Sequence, residues 1–299
     1  MDRFQCMNVF VAVAEEEGFA AGARRLRMSP PAVTRAVATL EARLGVKLLD
    51  RTTRYVRATD AGLRYLEEAR RILAEVEAAE ESVAGGNAEP RGQLTVTAPV
   101  LFGRMFVMPG IVDYLERYPR TEVSAVLLDR SVNLLEEGID VGVRIGELAD
   151  SSMRALRVGS VRVVLCASPA YLGRRGTPRS PQDLPQHATI ASVAGSGAIH
   201  WRFATAEGMR PVRVRPRLTV TTNDAAIEAA LRGFGITRLL SYQVAPLLAA
   251  RRLKRLLQAF EPPPWPVHLV HREGRYASAK VRAFVDLMAA RLRADSALG

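Results

Sequence analysis

"MSPPAVTRAVATLEARLGVKLLDR", residues 28–51, changes character twice, from a proline pair to an apolar repeat and then to a glycine with a basic tail. Ser29 suits the N-cap of a helix, and Pro30 suits its first position because the missing N–H would have no partner there. Apolar residues then recur every three or four positions, at Val33, Val37, Leu40 and Leu44. This spacing predicts a helix with one buried stripe that ends at Gly45.

The neighbours of this predicted helix favour a DNA-binding unit. Its outer face is slim and carries one cation, with Pro31, Thr34, Arg35 and Ala38. Two shorter helical stretches precede it, at residues 4–14 and 19–26, and two strand-like stretches follow, at 46–49 and 55–58. Three helices followed by a basic hairpin is the order of a mainly α winged helix-turn-helix, whose second motif helix enters the major groove of DNA.

Residues 1–60 resemble the DNA-binding domain of the LysR-type transcriptional regulators, through "FVAVAEEEGFAAGARRLRMSPPAVTRAVATLEARLGVKLLDRTTRYVRATDAG". The resemblance implies double-stranded DNA as a partner, contacted by Ser29, Pro30, Pro31, Thr34 and Arg35 on the helix and by Arg51, Thr52 and Arg54 on the wing. One departure is Ala20, where such proteins often begin the second helix with a hydroxyl residue, and Gly22 lies inside that helix. We therefore expect the second helix to depend on tertiary packing.

Length and composition indicate a soluble protein of at least two compact units. The chain has 299 residues, 48% of them hydrophobic, and a net charge of +11. The basic excess extends beyond the N-terminal part, so charge alone is weak evidence for nucleic acid. No apolar run reaches the roughly 20 residues of a membrane span, and the N-terminus lacks a secretion signal pattern, which predicts a cytoplasmic protein without membrane contact. Cys6 and Cys166 are expected to be buried thiols, with a redox role for Cys166 left open.

The middle of the chain predicts a long helix and a joint. Residues 59–84 contain no proline and approximate a heptad seam, broken at Glu80. The seam consists of Leu66, Ala69, Leu73, Val76 and Val83. A helix of this length extends about 39 Å and could pair with a second copy, which predicts a homodimer or homotetramer. We thus divide the chain into a winged helix-turn-helix at 1–58, a linker and dimerisation helix at 59–84, and a hinge at 85–92.

Strands and helices alternate over residues 93–299, which indicates an α/β domain. Two of the predicted helices span Gly103–Tyr118 and Val132–Gly138. The stretch "RIGELADSSMRALRVGSVRVVLCASPAYLGRRGTPRSPQDLPQH", residues 144–187, again resembles LysR-type regulators. The resemblance implies a two-lobed effector domain of the periplasmic-binding-protein type. We place its crossovers near Val161–Val164 and Pro266–Leu269, with lobe one at 93–162 and 268–299 and lobe two at 163–267.

Candidate effector residues follow from this architecture, because open α/β sheets bind ligands beyond the carboxyl ends of their strands. The candidates are Pro99, Val100, Leu101, Phe102, Gly103, Arg144, Trp201, Thr222 and Asn223. Three alternatives stay open: Arg144 pairs with a carboxylate, Trp201 is core, and Asn223 only caps its helix. Relatives often have a hydroxyl in the first loop, where this chain has Pro99 and Val100. We therefore expect a small aromatic or otherwise apolar effector, and the helix N-termini at Gly103 and Asn223 together with Arg144 suit one acidic group on it.

Sequence patterns for catalysis and cofactors are missing. The chain contains neither a GxxxxGK[ST] phosphate loop nor a GxSxG nucleophile motif, and "GFGITR" from Gly233 lacks the third glycine of a dinucleotide fingerprint. His268 and His271 would point to opposite faces of a strand, which disfavours a metal pair. We predict an effector-responsive transcriptional regulator with no catalytic residue, cofactor or metal. The alternative is an enzymatic or ligand-binding α/β protein whose N-terminal domain serves interaction.

Overall fold

The computed structural model describes residues 2–51, 56–83, 89–130, 132–134, 136–148, 153–192, 199–271 and 277–299. The chain forms two compact units, Met1–Ala88 and Glu89–Gly299. We refer to them as the N-terminal unit and the effector unit.

The N-terminal unit is a group of helices with a small antiparallel hairpin. Its elements are α1 (Arg3–Glu15), α2 (Phe19–Leu26), α3 (Pro30–Leu44), β1 (Leu49–Arg51), β2 (Val56–Ala58) and α4 (Asp60–Val83). Strand β1 pairs with β2, so that Leu49 lies opposite Ala58. The winged helix-turn-helix that the sequence predicts is thereby confirmed. The first strand starts three residues later than expected, at Leu49 instead of Val46.

The predicted stripe of α3 is buried except at its last position. Val33, Val37 and Leu40 are fully buried in a core shared with the other helices, whereas Leu44 is 41% exposed. The prediction for Leu44 was wrong because the helix ends there. Gly45 follows in the left-handed conformation, with φ of 69°, and turns the chain away from the core.

Two glycines allow the helices to pack closely. A Cβ at Gly22 would lie 3.0 Å from Val13 Cγ2, so the glycine inside α2 lets this helix approach α1. A Cβ at Gly62 would lie only 1.9 Å from the carbonyl oxygen of Leu48, so α4 crosses the start of the hairpin at a point where only glycine fits. The expectation that α2 depends on packing agrees with this arrangement, since no side chain caps its first turn.

Helix α4 uses the first part of the predicted seam inside its own unit. Leu66 and Ala69 are buried in the core of the N-terminal unit, and Leu73 packs against it. The expectation that the whole seam faces a second copy was therefore wrong, because these residues are already covered. Val76 is half-buried, and the side chain of Val83 lies outside the described residues.

The effector unit contains two five-stranded sheets. Lobe one is built from β3 (Gly92–Ala98), a continuous helical segment, β4 (Thr121–Leu127), β5 (Val141–Ile145), β6 (Arg154–Val161), β14 (Trp265–His271) and α10 (Ala279–Ala294). The helical segment comprises α5 (Val100–Phe102), a π-helical stretch (Gly103–Val107) and α6 (Met108–Arg117). The strand order is β4-β3-β5-β14-β6, so that β14 lies between β5 and β6 and runs antiparallel to both.

Lobe two is built from the middle of the chain. Its elements are β7 (Val163–Ala167), α7 (Pro169–Arg175), β8 (Thr189–Ser192), β9 (Ile199–Thr205), β10 (Gly208–Val214), β11 (Leu218–Val220), α8 (Asn223–Leu231), β12 (Ile236–Leu240), α9 (Ser241–Ala249) and β13 (Lys254–Leu256). Short 3-10 turns span Pro181–Gln186 and Gln258–Phe260 in lobe two, and a third, Ser296–Leu298, follows α10 in lobe one. The strand order of its sheet is β11-β8-β12-β7-β13, and β9 and β10 form a separate hairpin.

Three sequence predictions for the effector unit need correction. The second crossover lies before Trp265 and not near Pro266–Leu269, because all of β14 pairs within lobe one. Residues 265–267 therefore leave lobe two. The helical segment of lobe one begins at Val100 and not at Gly103. The described residues of 132–138 form a single turn in place of a helix, closed by a hydrogen bond from Glu137 N to Asn133 O.

Candidate DNA-binding helix and lobe junction

The outer face of α3 presents the residues that the sequence singled out. Ser29, Pro30, Pro31 and Arg35 are exposed, and Thr34 is half-buried. Ser29 occupies the N-cap position, but its hydroxyl accepts no hydrogen bond from the first turn of the helix, contrary to our expectation. The start of α3 thus presents a hydroxyl, two proline rings and one guanidinium on a single surface.

Arg35 differs from Arg25 and Arg70 of the N-terminal unit, which are both ion-paired. Arg25 Nη1 lies 2.6 Å from Glu15 Oε2, and Arg70 Nε lies 2.7 Å from the other oxygen of the same carboxylate, so these two arginines hold helices together. Within the described part of the chain, the Arg35 guanidinium has no acceptor at hydrogen-bonding distance. Its five donors remain available to a partner outside the chain.

Glu41 on α3 anchors the wing, and the sequence analysis did not identify it. The side chain is 4% exposed and accepts hydrogen bonds from Leu48 N at 2.9 Å, Leu49 N at 3.1 Å and Lys47 Nζ at 2.8 Å. Burial acts to raise the pKa of Glu41, but these hydrogen bonds outweigh it and leave the pKa below its usual value. A charged residue at a core-facing helical position was the signal that could have revealed this role.

The predicted wing contacts are only partly described. The backbone of Arg51 ends β1, opposite Val56. Thr52 and Arg54 lie outside the described residues. Their role in DNA contact stays a prediction.

Asp129 connects the two lobes at the ends of two predicted loops. Its Oδ1 accepts a hydrogen bond from Val100 N at 3.0 Å, in lobe one. Its Oδ2 lies 3.4 Å from both the backbone N and the side-chain Nδ2 of Asn223, at the start of α8 in lobe two. Val100 and Asn223, both effector candidates from the sequence, are thus joined through a carboxylate of the chain itself. We call Asp129, Val100 and Asn223 the lobe junction.

An aromatic cluster lies beside the lobe junction. The Tyr242 ring, from α9, contacts Phe102 at 5.4 Å and Phe106 at 5.5 Å between ring centroids, both in edge-on geometry. Burial and, to a smaller extent, the Asp129 carboxylate raise the pKa of Tyr242, although a hydrogen bond with Gln243 opposes the shift. Aromatic packing thus joins lobe two to the core of lobe one.

Four of the predicted effector residues are buried in the cores. Leu101 is 4% exposed and Phe102 is fully buried. A Cβ at Gly103 would lie 2.4 Å from Leu127 Cδ2, so this glycine lets the helical segment approach β4. Trp201 is 4% exposed and packs in the core of lobe two, which leaves its indole no free face for a ligand. The Leu101 and Phe102 side chains therefore do not line a site as expected, and Trp201 agrees with the alternative that it belongs to the core. Pro99, Val100, Thr222 and Asn223 are half-buried.

Arg144 has a structural role in place of the predicted one. Its Nη2 donates to the carbonyl oxygen of Val132 at 2.7 Å, and its Nη1 lies 3.4 Å from Val143 O. Burial lowers the pKa of Arg144, and Glu137 opposes this effect. The guanidinium holds the turn at 132–134 against β5, so neither the ligand contact nor the carboxylate pair that we considered describes its main contacts.

The described residues offer little support for metal or thiol chemistry. No group of three or more His, Cys, Asp or Glu among them could hold a metal ion. Cys6 and Cys166 are both buried, and burial raises the pKa of Cys166 to about 12. A thiol with this pKa is almost entirely protonated at neutral pH, which disfavours a redox role. Among the described helices, none combines the length and apolar character needed to cross a membrane.

A winged helix-turn-helix followed by a long helix and a two-lobed α/β unit defines a class of ligand-responsive DNA-binding regulators. The family model "Bacterial regulatory helix-turn-helix protein, lysR family" matches residues 4–63, and the model "LysR substrate binding domain" matches residues 87–293. The chain belongs to the LysR family of transcriptional regulators.

Individual relatives agree with this assignment. The chain is 34% identical over 294 residues to an HTH-type transcriptional regulator of Xanthomonas campestris, covering 96% of this chain and 85% of the relative. It is 32% identical over 283 residues to the regulator CrgA of Neisseria meningitidis serogroup B, covering 94% of both chains. The solved structure of CrgA from Neisseria meningitidis, a LysR-type transcriptional regulator, matches with a TM-score of 0.62 at 32% identity, over 96% of this chain and 98% of that one.

Proposed function

We propose that this cytoplasmic regulator binds specific double-stranded DNA sequences with α3 in the major groove and the hairpin β1–β2 on the DNA backbone. The observation that carries the proposal is the exposed guanidinium of Arg35, which has no acceptor in the described part of the chain. Arginine recognises guanine edges and phosphates through paired hydrogen bonds. Short side chains around Arg35 let the helix approach the bases.

Substitution of Arg35 tests this proposal. Arg35→Ala is expected to fold normally and to lose about 1–3 kcal/mol of specific binding free energy, because one base or phosphate contact disappears. Arg232→Ala is the matched control, since it removes the same charge from an exposed, ion-paired position of the effector unit. Operator binding is measured by fluorescence anisotropy at two salt concentrations. Unchanged affinity in folded Arg35→Ala would remove α3 from this role.

The proposal includes a homodimer or homotetramer formed through α4. With Leu66, Ala69 and Leu73 packed inside the N-terminal unit, Val76 is the described seam residue left for a second copy. Val76→Glu places a charge in a symmetric contact twice and is expected to weaken assembly and, with it, binding to two half-sites. The control Arg64→Glu changes an exposed position of the same helix. A fully assembled Val76→Glu protein in light scattering would contradict a dimer contact at this position.

A small-molecule effector between the lobes is proposed to modulate DNA binding. The lobe junction connects two lobes that have their own cores. A ligand that binds better at one spacing of the lobes therefore increases the population of the conformation with that spacing. The proposed effector is aromatic or otherwise apolar with one acidic group, and this group needs a cation outside the lobe junction, where Asp129 already occupies the N–H groups of Val100 and Asn223. Operator affinity measured with and without such a compound tests the effector role, and compounds that bind the effector unit yet leave operator affinity unchanged would contradict it.

A further inference from the structure

Arg238 and Trp265 meet where the chain passes between the lobes. Arg238 lies two residues before the end of β12, opposite Leu165 of β7. Trp265 is the first residue of β14 and lies opposite Val161, the last residue of β6. The Arg238 guanidinium carbon lies 5.8 Å from the centre of the Trp265 ring, so a cation of lobe two rests on an aromatic ring of lobe one.

Arg238 is a half-buried charge without a protein acceptor in the described part of the chain. Burial lowers its pKa, and no described carboxylate acts in the opposite direction. Arg255 lies in the same sheet, on β13, which is separated from β12 by β7. In contrast to Arg238, it is paired with the Glu261 carboxylate. A partly dehydrated guanidinium gains free energy when an acceptor reaches it, because its hydration is already reduced.

Trp265 provides an apolar wall beside this cation. The indole is 37% exposed, although it begins a central strand. The adjacent backbone carries no side chain that covers it: Gly146 has φ of 108°, and a Cβ there would lie 3.8 Å from Trp265 Cε3. Gly146 N also donates a hydrogen bond to Pro266 O at 2.9 Å, which holds the backbone of Gly146 beside Trp265.

The lobe junction excludes a second anion. Asp129 already accepts the N–H groups of Val100 and Asn223, the donors that would otherwise hold an acid group at the two helix starts. An added carboxylate there would meet Asp129 at close range and be repelled. The acidic group of an effector therefore needs a cation elsewhere between the lobes.

We propose that Arg238 and Trp265 form the anchoring subsite for an aromatic carboxylate, whose acid group pairs with Arg238 while its ring lies along the exposed part of the Trp265 indole. The inference rests on the proposed effector function and names the ligand class and the residues that recognise it. Because the two side chains come from different lobes beside both crossovers, the bound acid holds the lobes at one spacing.

Binding of simple aromatic acids to the full chain tests the subsite. The probes are benzoate and 1-naphthoate, and their uncharged matches are benzamide and 1-naphthamide. The acids are expected to quench tryptophan fluorescence and raise the melting temperature, with amides binding at least ten-fold more weakly. Of the two tryptophans, Trp201 is buried in the lobe-two core, so Trp265→Phe is expected to remove the quenching and keep the thermal shift. Equal binding of acids and amides, or quenching that persists in Trp265→Phe, would overturn the proposal.

Variants of Arg238 test the cation. Arg238→Gln is expected to weaken binding of the acids at least ten-fold, and Arg238→Lys to give an intermediate loss because it keeps the charge without the planar fork. Arg232→Gln, at an exposed position, is the control and should bind like the parent. Unchanged acid affinity in folded Arg238→Gln, or no binding of either acid to the parent, would overturn the subsite.

Operator binding separates this inference from the proposed function. A neutral compound that alters operator affinity equally in the parent and in Arg238→Gln would leave the effector role standing and show the subsite to be wrong. Acids that bind through Arg238 without altering operator affinity would support the subsite and contradict the regulation.

Discussion

Glu41 in the N-terminal unit and Asp129 in the effector unit are carboxylates that connect separate parts of the chain by accepting hydrogen bonds from backbone amides. Each carboxylate accepts two backbone N–H groups and one side-chain donor. Glu41 joins neighbouring elements of a single core, whereas Asp129 joins the cores of two lobes. The contacts of Glu41 are 2.8–3.1 Å long, and those of Asp129 are 3.0–3.4 Å. The contacts of the carboxylate are therefore shorter in the N-terminal unit than in the effector unit, and we expect the longer ones to contribute less to stability.

The largest expected effect follows from removal of Glu41. Glu41→Ala leaves the buried N–H groups of Leu48 and Leu49 without an acceptor and is expected to lower the free energy of unfolding of the N-terminal unit by about 3 kcal/mol. Both tryptophans lie in the effector unit, so far-UV circular dichroism should show an early transition that tryptophan fluorescence does not. The control Glu67→Ala, at an exposed position of α4, should change stability by less than about 0.5 kcal/mol. Coincident transitions in Glu41→Ala would contradict the anchoring role.

A smaller effect is expected from Asp129→Ala. Its longer hydrogen bonds are shared with half-buried groups, so the loss should be about 1–2 kcal/mol and appear in the fluorescence transition of the effector unit. Hydrogen exchange should accelerate at the amides of Val100 and Asn223, with Leu48 and Leu49 unchanged. Glu122→Ala, an exposed carboxylate of β4, is the control. Equal exchange rates in Asp129→Ala and the parent would show that the lobe junction is held by other contacts.

The smallest expected effect is a loss of stability of the N-terminal unit at low pH. The pKa of Glu41 in the folded protein lies below its ordinary value of 4.5, so its stabilising contribution is fully present above that value and is lost as pH falls through the lowered pKa. The N-terminal unit should therefore lose stability below about pH 4.5. Glu41→Gln has no charge to lose and should flatten this part of the pH profile. Parallel profiles of the parent and Glu41→Gln below pH 4.5 would assign the acid sensitivity to other carboxylates.

Local signals explain why the elements of the N-terminal unit were predictable. The proline at residue 30, the apolar stripe and Gly45 each act within one or two helical turns, and α3 spans the residues that they indicate. The role of Glu41 was not predicted because it depends on hydrogen bonds from two backbone amides of the wing, and only the tertiary structure brings these amides close to it. Similarly, the helical pattern at 132–138 gave way because Val132 and Leu134 pack against Val270, far along the chain.

The candidate site was predictable in position more than in residues. Strand ends pointed to Val100 and Asn223 as candidates, and the same rule applied to Asp129 would have indicated the carboxylate that joins them. The sequence could not show which of Trp201 and Trp265 is exposed, because both lie in strand-like runs. Only the pairing of the strands shows which side chain is covered. The second crossover was predicted too late in the chain for the same reason, since β14 pairs with a strand over a hundred residues earlier.

The position of β14 also sets the order in which the protein is completed during translation. Because β14 lies between β5 and β6, β5 lacks its partner on one side and β6 lacks its only partner strand in this sheet until residues 265–271 have been synthesised. At 5–20 residues per second the interval from Val161 to Trp265 lasts roughly 5–20 s, while the N-terminal unit and most of lobe two are already available to fold. An unpaired strand edge is a template for association with other chains. The nascent regulator is thus most vulnerable to aggregation in the seconds before its last strand and helix close lobe one.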